Sequence, residues 1–185
     1  MKKIFGALVI ALLAIGANAQ TFEKGSSIAT AQLGIGGGFG QRVAYEYSLM
    51  NLLDGKAAIG VGGSLANCLW SEKSSTSYAK CKDSYDNFTI AAIGSFHYEF
   101  IDKLDTYVTL GLGFGIGAHT AKVDYTDREL EQFMGGDYKN KTTHGYFGWI
   151  SSLGARWYFN KNWAANVELG WTGAGYFAVG ATYKF

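Results

Sequence analysis

From Thr106 to Ala118 the chain alternates strictly between two kinds of side chain. Val108, Leu110, Leu112, Phe114 and Ile116 take every second place, and Thr109, Gly111, Gly113, Gly115 and Gly117 take the others. Successive side chains of a strand point to opposite faces, so this period sets a wholly apolar face behind an almost bare one. Strands of soluble sheets usually run ~5–6 residues. This run is longer and suits the ~9–11 residues of a tilted strand that crosses a bilayer.

The same period recurs along the chain. A first strand over Ser27–Gly36 sets Ala31, Leu33 and Ile35 against Thr30, Gln32 and Gly34. A second over Gln41–Leu49 sets Val43, Tyr45, Tyr47 and Leu49 against Ala44, Glu46 and Ser48. The third (Lys56–Asn67) and fourth (Asn87–Phe100) follow, with His97 and Glu99 on the polar face of the fourth. The sixth (Thr143–Phe159) carries Arg156 on that face, the seventh (Asn162–Thr172) Glu168 and the eighth (Gly175–Phe185) Lys184. The segments Ser48–Leu53 and Arg128–Met134 are helix-like but only loop-sized.

Eight such strands can close with the apolar face inward, as in a soluble barrel, or outward to lipid. The rings decide. Trp149, Trp157, Trp163, Trp171, Phe96, Tyr98 and Phe100 lie on the apolar face, too much volume for an eight-stranded interior. Glycine, serine and threonine dominate the other. Phe100, Tyr107, Trp157, Phe159 and Trp163 flank one set of short turns, as an interfacial aromatic girdle requires. Those turns, 51–55, 101–105 and 160–162, alternate with long polar stretches, Leu69–Asp86 and Ala121–Thr142. Zero proline among 185 residues fits strands that cannot spare a ladder donor. The predicted fold is all-β, an eight-stranded antiparallel up-and-down transmembrane β-barrel.

Residues 1–19 read as a cleavable export leader, with Lys2 and Lys3, an apolar run from Ile4 to Ile15 and the small-x-small pattern of Ala17-Asn18-Ala19. The mature chain, 20–185, then starts at Gln20 and forms the barrel. In an oxidising compartment Cys68 and Cys81 are expected to form a disulfide that pins the stretch between them. A formal charge of +1 gives no field for gathering nucleic acid. Glu46, His97, Glu99, Arg156, Glu168 and Lys184 are expected to form a charge network in the lumen, since an unpaired charge there costs several kcal/mol. An Arg156–Glu168 bridge between the sixth and seventh strands is part of it, and Tyr146, Ile150 and Tyr158 are expected to fill the space that the glycines of the fifth strand leave.

The segment Gly154-Ala155-Arg156-Trp157-Tyr158-Phe159, the Asn160-Lys161-Asn162 turn and the terminal strand ending in Phe185 are where a resemblance appears. The chain resembles the small outer-membrane β-barrel proteins of the OmpA/OmpX type, particularly those of Bacteroidetes-like, Gram-negative bacteria. The resemblance implies a location in the cell outer membrane; a peptidoglycan-binding domain is not expected, because the sequence stops at strand eight. The resemblance also implies that Phe177, Val179, Tyr183 and Phe185 are the cue read by the barrel-assembly machinery.

Other chemistry is thinly signalled. The glycine runs lack G-x-G-x-x-G spacing, and the histidines and cysteines lack zinc spacing, so no cofactor, metal or catalytic residue is expected. Some small barrels act on lipid A, and Ser152 with His119 or His144 is the pair to consider for that. The long stretches mix Asp, Glu, Lys, Tyr and Ser. They suit contact with lipopolysaccharide or a host or cell-surface ligand. The reading is a monomeric, non-enzymatic barrel that serves envelope integrity and adhesion. A narrow porin-like channel is the alternative, a lipid A-modifying enzyme a more distant one.

Overall fold

The computed structural model describes residues 22–185. The expected leader and the mature start at Gln20 lie outside the described residues.

Eight strands run in order around a closed ring: β1 (Ser27–Ile35), β2 (Phe39–Leu52), β3 (Ala57–Ser75), β4 (Ala79–Ile101), β5 (Leu104–Tyr125), β6 (Tyr138–Tyr158), β7 (Trp163–Trp171) and β8 (Phe177–Lys184). Every neighbour is antiparallel, and β1 closes the ring on β8 through pairs such as Ile28 with Lys184 and Ile35 with Phe177. Closure leaves no edge in the ring, so each backbone group there has a partner, the condition for a sheet in hydrocarbon. Short turns join strands at one end, where Phe22 and Phe185 also lie. Lys103 turns the β4–β5 hairpin there at φ 72. The helix-like segment at 48–53 is the end of β2 instead, with a single helical turn only at Leu53–Gly55.

The period of two sets which face goes where. Leu112 and Phe114 are 62% and 72% exposed, whereas Thr109 and Ile150 are buried. The apolar residues therefore face outward around the ring, and the core is the lumen. No helix among the described residues is long and apolar enough to cross a membrane; the crossing is made by strands. This is a transmembrane β-barrel.

The structure corrects the expected long loops. β3 and β4 stay paired out to Ser75 and Lys80, and β5 and β6 out to Val123 and Tyr138. The stretches 69–86 and 121–142 are thus mostly sheet, four strands wide, projecting past the ring. Both faces of that sheet are mostly polar, so it shows no apolar alternation. A seven-residue helix, α1 (Arg128–Met134), crowns the β5–β6 hairpin. Asp127 opens it by accepting from the Glu129 amide at 2.9 Å, and Gly135 and Gly136, both at positive φ, stop it.

Candidate functional site

The lumen holds two stacked charge clusters. In the one nearer the termini, Arg156 from β6 donates through Nη2 to Glu46 of β2 and through Nη1 to Asp105 of β5, the latter at 3.3 Å. His97 of β4 lies between the same two carboxylates, with Nδ1 2.9 Å from Asp105 and Nε2 3.3 Å from Glu46. Ser95 donates to Glu46 at 2.6 Å. In the second cluster Arg42 of β2 donates to both oxygens of Glu168, at 3.0 and 2.9 Å, and to Gln32 at 2.9 Å. Glu168 also accepts from Gln32, Tyr107 and Ser152. Tyr107 couples the two, since the Arg156 guanidinium sits 3.9 Å over its ring.

Several expected members therefore change places. Glu46, His97, Arg156 and Glu168 are all buried in the lumen, but the Arg156–Glu168 bridge does not form. Glu168 registers with Gly154, and Arg156 reaches the far wall instead. Glu99 and Lys184 are only half-buried; they lie at the mouth by the termini, with Lys184 Nζ 5.3 Å from the Tyr158 ring centroid. Tyr107 leaves the girdle altogether. It shares the parity of Thr109, points inward and is buried, while Phe100, Trp157, Phe159 and Trp163 keep outward or rim positions. Arg42 and Asp105 are the lumen charges that the sequence reading misses. Parity is the signal that marks them: Arg42 lies four residues before Glu46 on β2, and Asp105 four before Thr109 on β5.

The remaining space is filled by large residues set against small ones. A Cβ on Gly115 would run into the Tyr146 ring, one on Gly154 into the Tyr107 ring, and one on Gly111 would lie 3.3 Å from Ile150. Tyr146 and Ile150 so occupy the room expected of them, whereas Tyr158 is buried nearer the termini, beneath Lys184. At the far mouth the turn Thr172–Gly175 folds inward. Its Ala174 carbonyl oxygen would collide with a Cβ on Gly40 or on Gly34, so only glycine admits that backbone. At the near mouth Phe22 packs on His97 with ring centroids 4.2 Å apart. Large side chains thus occupy the middle of the bore, a backbone turn lies in one mouth and the Phe22 ring in the other.

Ser95, His97 and Asp105 have the connectivity of a hydrolase triad, with Ser95 Oγ 2.8 Å from His97 Nε2. The serine proton is directed to Glu46, however, and Phe22 covers the imidazole, so the group works as one more link in the ion-pair cluster. The rim pair fares no better. Ser152 registers with Thr109, ten residues down β5 from His119, a separation of ~33 Å along the strand, and lies eight residues along β6 from His144, ~26 Å. His119 bonds Asp83 at 2.8 Å instead. The expected disulfide is absent, as both cysteines are free. Cys81 registers with Ser74, six residues along β3 from Cys68. That is ~20 Å of strand, against the ~7 Å limit between bridged Cα atoms.

The projecting sheet is the other candidate. Beyond Leu69, β3 has no strand on its β2 side, and before Ser151, β6 has none on its β7 side. Two edges are thus open. One face bears a stack of Trp70 on Tyr85 on His119, with centroids 4.4 and 4.5 Å apart.

No family model and no curated protein matches this chain. Solved structures are similar over most of their length. Ail, the attachment invasion locus protein of Yersinia pestis, is 16% identical with a TM-score of 0.45, over 88% of this chain and 99% of that one. The same protein in complex with the heparin analogue sucrose octasulfate is 17% identical with a TM-score of 0.45, over 86% and 96%. A de novo designed transmembrane β-barrel is 17% identical with a TM-score of 0.40, over 88% and 98%. The fold is established by the ring of strands, independently of these likenesses.

Proposed function

We propose that this chain is an outer-membrane protein that works as a sealed, non-enzymatic barrel and presents its β3–β6 sheet outside the cell to bind other surfaces. The observation that carries the reading is the projecting sheet with its two unpaired edges, 70–75 and 138–150. Open edges are ready to take an added strand, which main-chain hydrogen bonds hold and side chains select. The filled lumen supports a holding role over transport. The outward row of Phe177, Val179, Tyr183 and Phe185 supports reading β8 as the assembly cue, and residues 1–19 as the leader that delivers the chain.

The test replaces 70–85 and 119–142 with short turns. Binding of expressing cells to host cells and matrix is expected to fall, with the gel-mobility shift on boiling unchanged. Full binding by the trimmed barrel overturns the reading. Steady ion-selective steps in planar bilayers from the intact protein would promote the channel alternative.

A further inference from the structure

The sheet extends the alternation past the lipid-facing belt and there puts all its lysines on one face, together with Asp86 and Asp124. Glu72 and Asp83 share the face of the Trp70–Tyr85–His119 stack, which continues the lumen wall. Lys73, Lys80, Lys82, Lys122, Lys139 and Lys141 share the opposite face, which continues the lipid-facing wall above Phe88 and Ile116. All six are exposed. Four form one unbroken row, since Lys73 registers with Lys82, Lys82 with Lys122 and Lys122 with Lys139. Strands lie ~4.8 Å apart, so the row spans ~14 Å. Like charges directly opposite one another are destabilising. Among the described residues the one ion pair any of the six makes is Lys122 with Asp124, at 3.4 Å. Asp86, lower on the same face, accepts from Asn67 at 2.6 Å. An anionic group laid along the lysine row relieves its repulsion.

What lies below the row narrows the anion. Ser71, Ser84 and Thr120 form the next row toward the membrane, joined by Lys141, and they line a groove of about 440 Å³ whose lower side is the row of Leu69, Asp86 and Ala118, with the Asp86 carboxylate held by Asn67. Below that groove come the lipid-facing rings. From Phe88 and Ile116 to Lys82 and Lys122 is three same-face rows, ~20 Å along the strands and ~15 Å of height at the usual tilt. Lysine stems reach several ångströms down along a wall while keeping the ammonium wet. Cation, hydroxyl and hydrocarbon thus follow in the order of a phosphorylated sugar on acyl chains.

We propose that this outer face is a seat for the phosphorylated headgroup of a glycolipid in the adjoining leaflet, with phosphates at the lysine row and sugar hydroxyls at Ser71, Ser84 and Thr120. A soluble polyanion gains nothing from the continuity of this face with the lipid-facing wall. The inference rests on the membrane placement of the barrel and not on adhesion; trimming removes the open edges and the row together, so the row is tested by substitution in the untrimmed sheet, with glycolipid and not cell binding as the readout.

The test folds the mature chain into phosphatidylcholine vesicles doped with a bisphosphorylated lipid A-type glycolipid or with its dephosphorylated form. Glycolipid retained per barrel after mild detergent extraction is the readout. The intact protein is expected to retain the phosphorylated form selectively, less so as salt rises. Each lysine beside an anionic surface is worth about fivefold, so K73Q/K82Q/K122Q/K139Q should lose retention by roughly six-hundredfold. The corresponding four-arginine variant should keep it, as should E72Q/D83N on the other face. Should the glutamine variant not show the boiling-dependent gel shift of a folded barrel, K82Q/K122Q replaces it, with a loss of roughly twentyfold. Equal retention by the folded glutamine variant, or no preference for the phosphorylated form, overturns the proposal. So does binding of dextran sulfate to barrels in plain phosphatidylcholine with no enrichment of the glycolipid.

Discussion

Replacing Arg42 with methionine removes the cation that grips Glu168 and leaves a carboxylate in the middle of the lumen. Glu168 is buried and accepts five hydrogen bonds, two of them from Arg42 at 3.0 and 2.9 Å. Breaking a buried pair from one side costs ~3–5 kcal/mol, because the remaining charge stays desolvated. Gln32, Tyr107 and Ser152 still donate to Glu168 in the variant, which places the expected loss near the lower end, ~3 kcal/mol. Glu168→Gln leaves the Arg42 guanidinium to the neutral Gln32 side chain, and its loss should be the larger, ~4 kcal/mol. The double variant R42M/E168Q removes both charges, so its cost should fall ~2–3 kcal/mol short of the sum of the single costs, within the range of coupling for contacting residues. The assay is urea unfolding in phospholipid vesicles, followed by the fraction of chain that runs as folded on an unboiled gel. Single losses below about 1 kcal/mol, or costs that simply add, would show that the pair does not hold the lumen together.

Gly115→Val should cost about 2 kcal/mol by forcing the Tyr146 ring aside, and Tyr146→Ala in the same chain should restore part of it; the same urea titration reads both. Denatured without reductant, the protein should take thiol label at both Cys68 and Cys81, and in the folded state Cys81 should label first because Cys68 is buried. Phe185→Asp should lower outer-membrane levels in cells while the refolded barrel loses only ~0–1 kcal/mol, as a charge near the interface does; normal levels would remove the assembly role from β8. N-terminal sequencing of the membrane fraction should begin at Gln20.

The ring was legible because its residues announce it twice. Alternation such as Val108 to Ile116 gives the strand, and ring-sized side chains on one face say which way that face must turn. The projecting sheet was not legible in the same terms. Glu72-Lys73 and Lys82-Asp83 do alternate, but in charge, and water on both faces removes the apolar contrast that marks a strand. Taken as a loop, the stretch reads as mixed charge. Paired at its true register, it sets a row of lysines on one face and Glu72 with Asp83 on the other. The lumen partners failed for a different reason. A residue's parity tells which charges face inward, and it places Arg42 beside Glu46, but which cation meets which carboxylate depends on stagger across the bore. Arg156 therefore bonds Glu46 across the bore and Asp105, its register partner on β5, and not Glu168, which lies two places off its register on β7. The cysteines illustrate the same limit, since a spacing of thirteen places closes a loop easily in a flexible chain and not at all in a straight hairpin.

β7, β8 and β1 are eight or nine residues long, whereas β3 to β6 run from nineteen to twenty-three. The rim is consequently low along one arc and tall along the other, so rotation about the membrane normal changes what a neighbour meets. A protein drifting in the same leaflet can come flush against the low arc, wall to wall. Against the tall arc it is held off at the height of the sheet by Lys82 and Lys122. The molecule has a front and a back in the plane of the membrane, and crowding alone will tend to orient it, with the stacked rings of Trp70, Tyr85 and His119 looking out over its own low side.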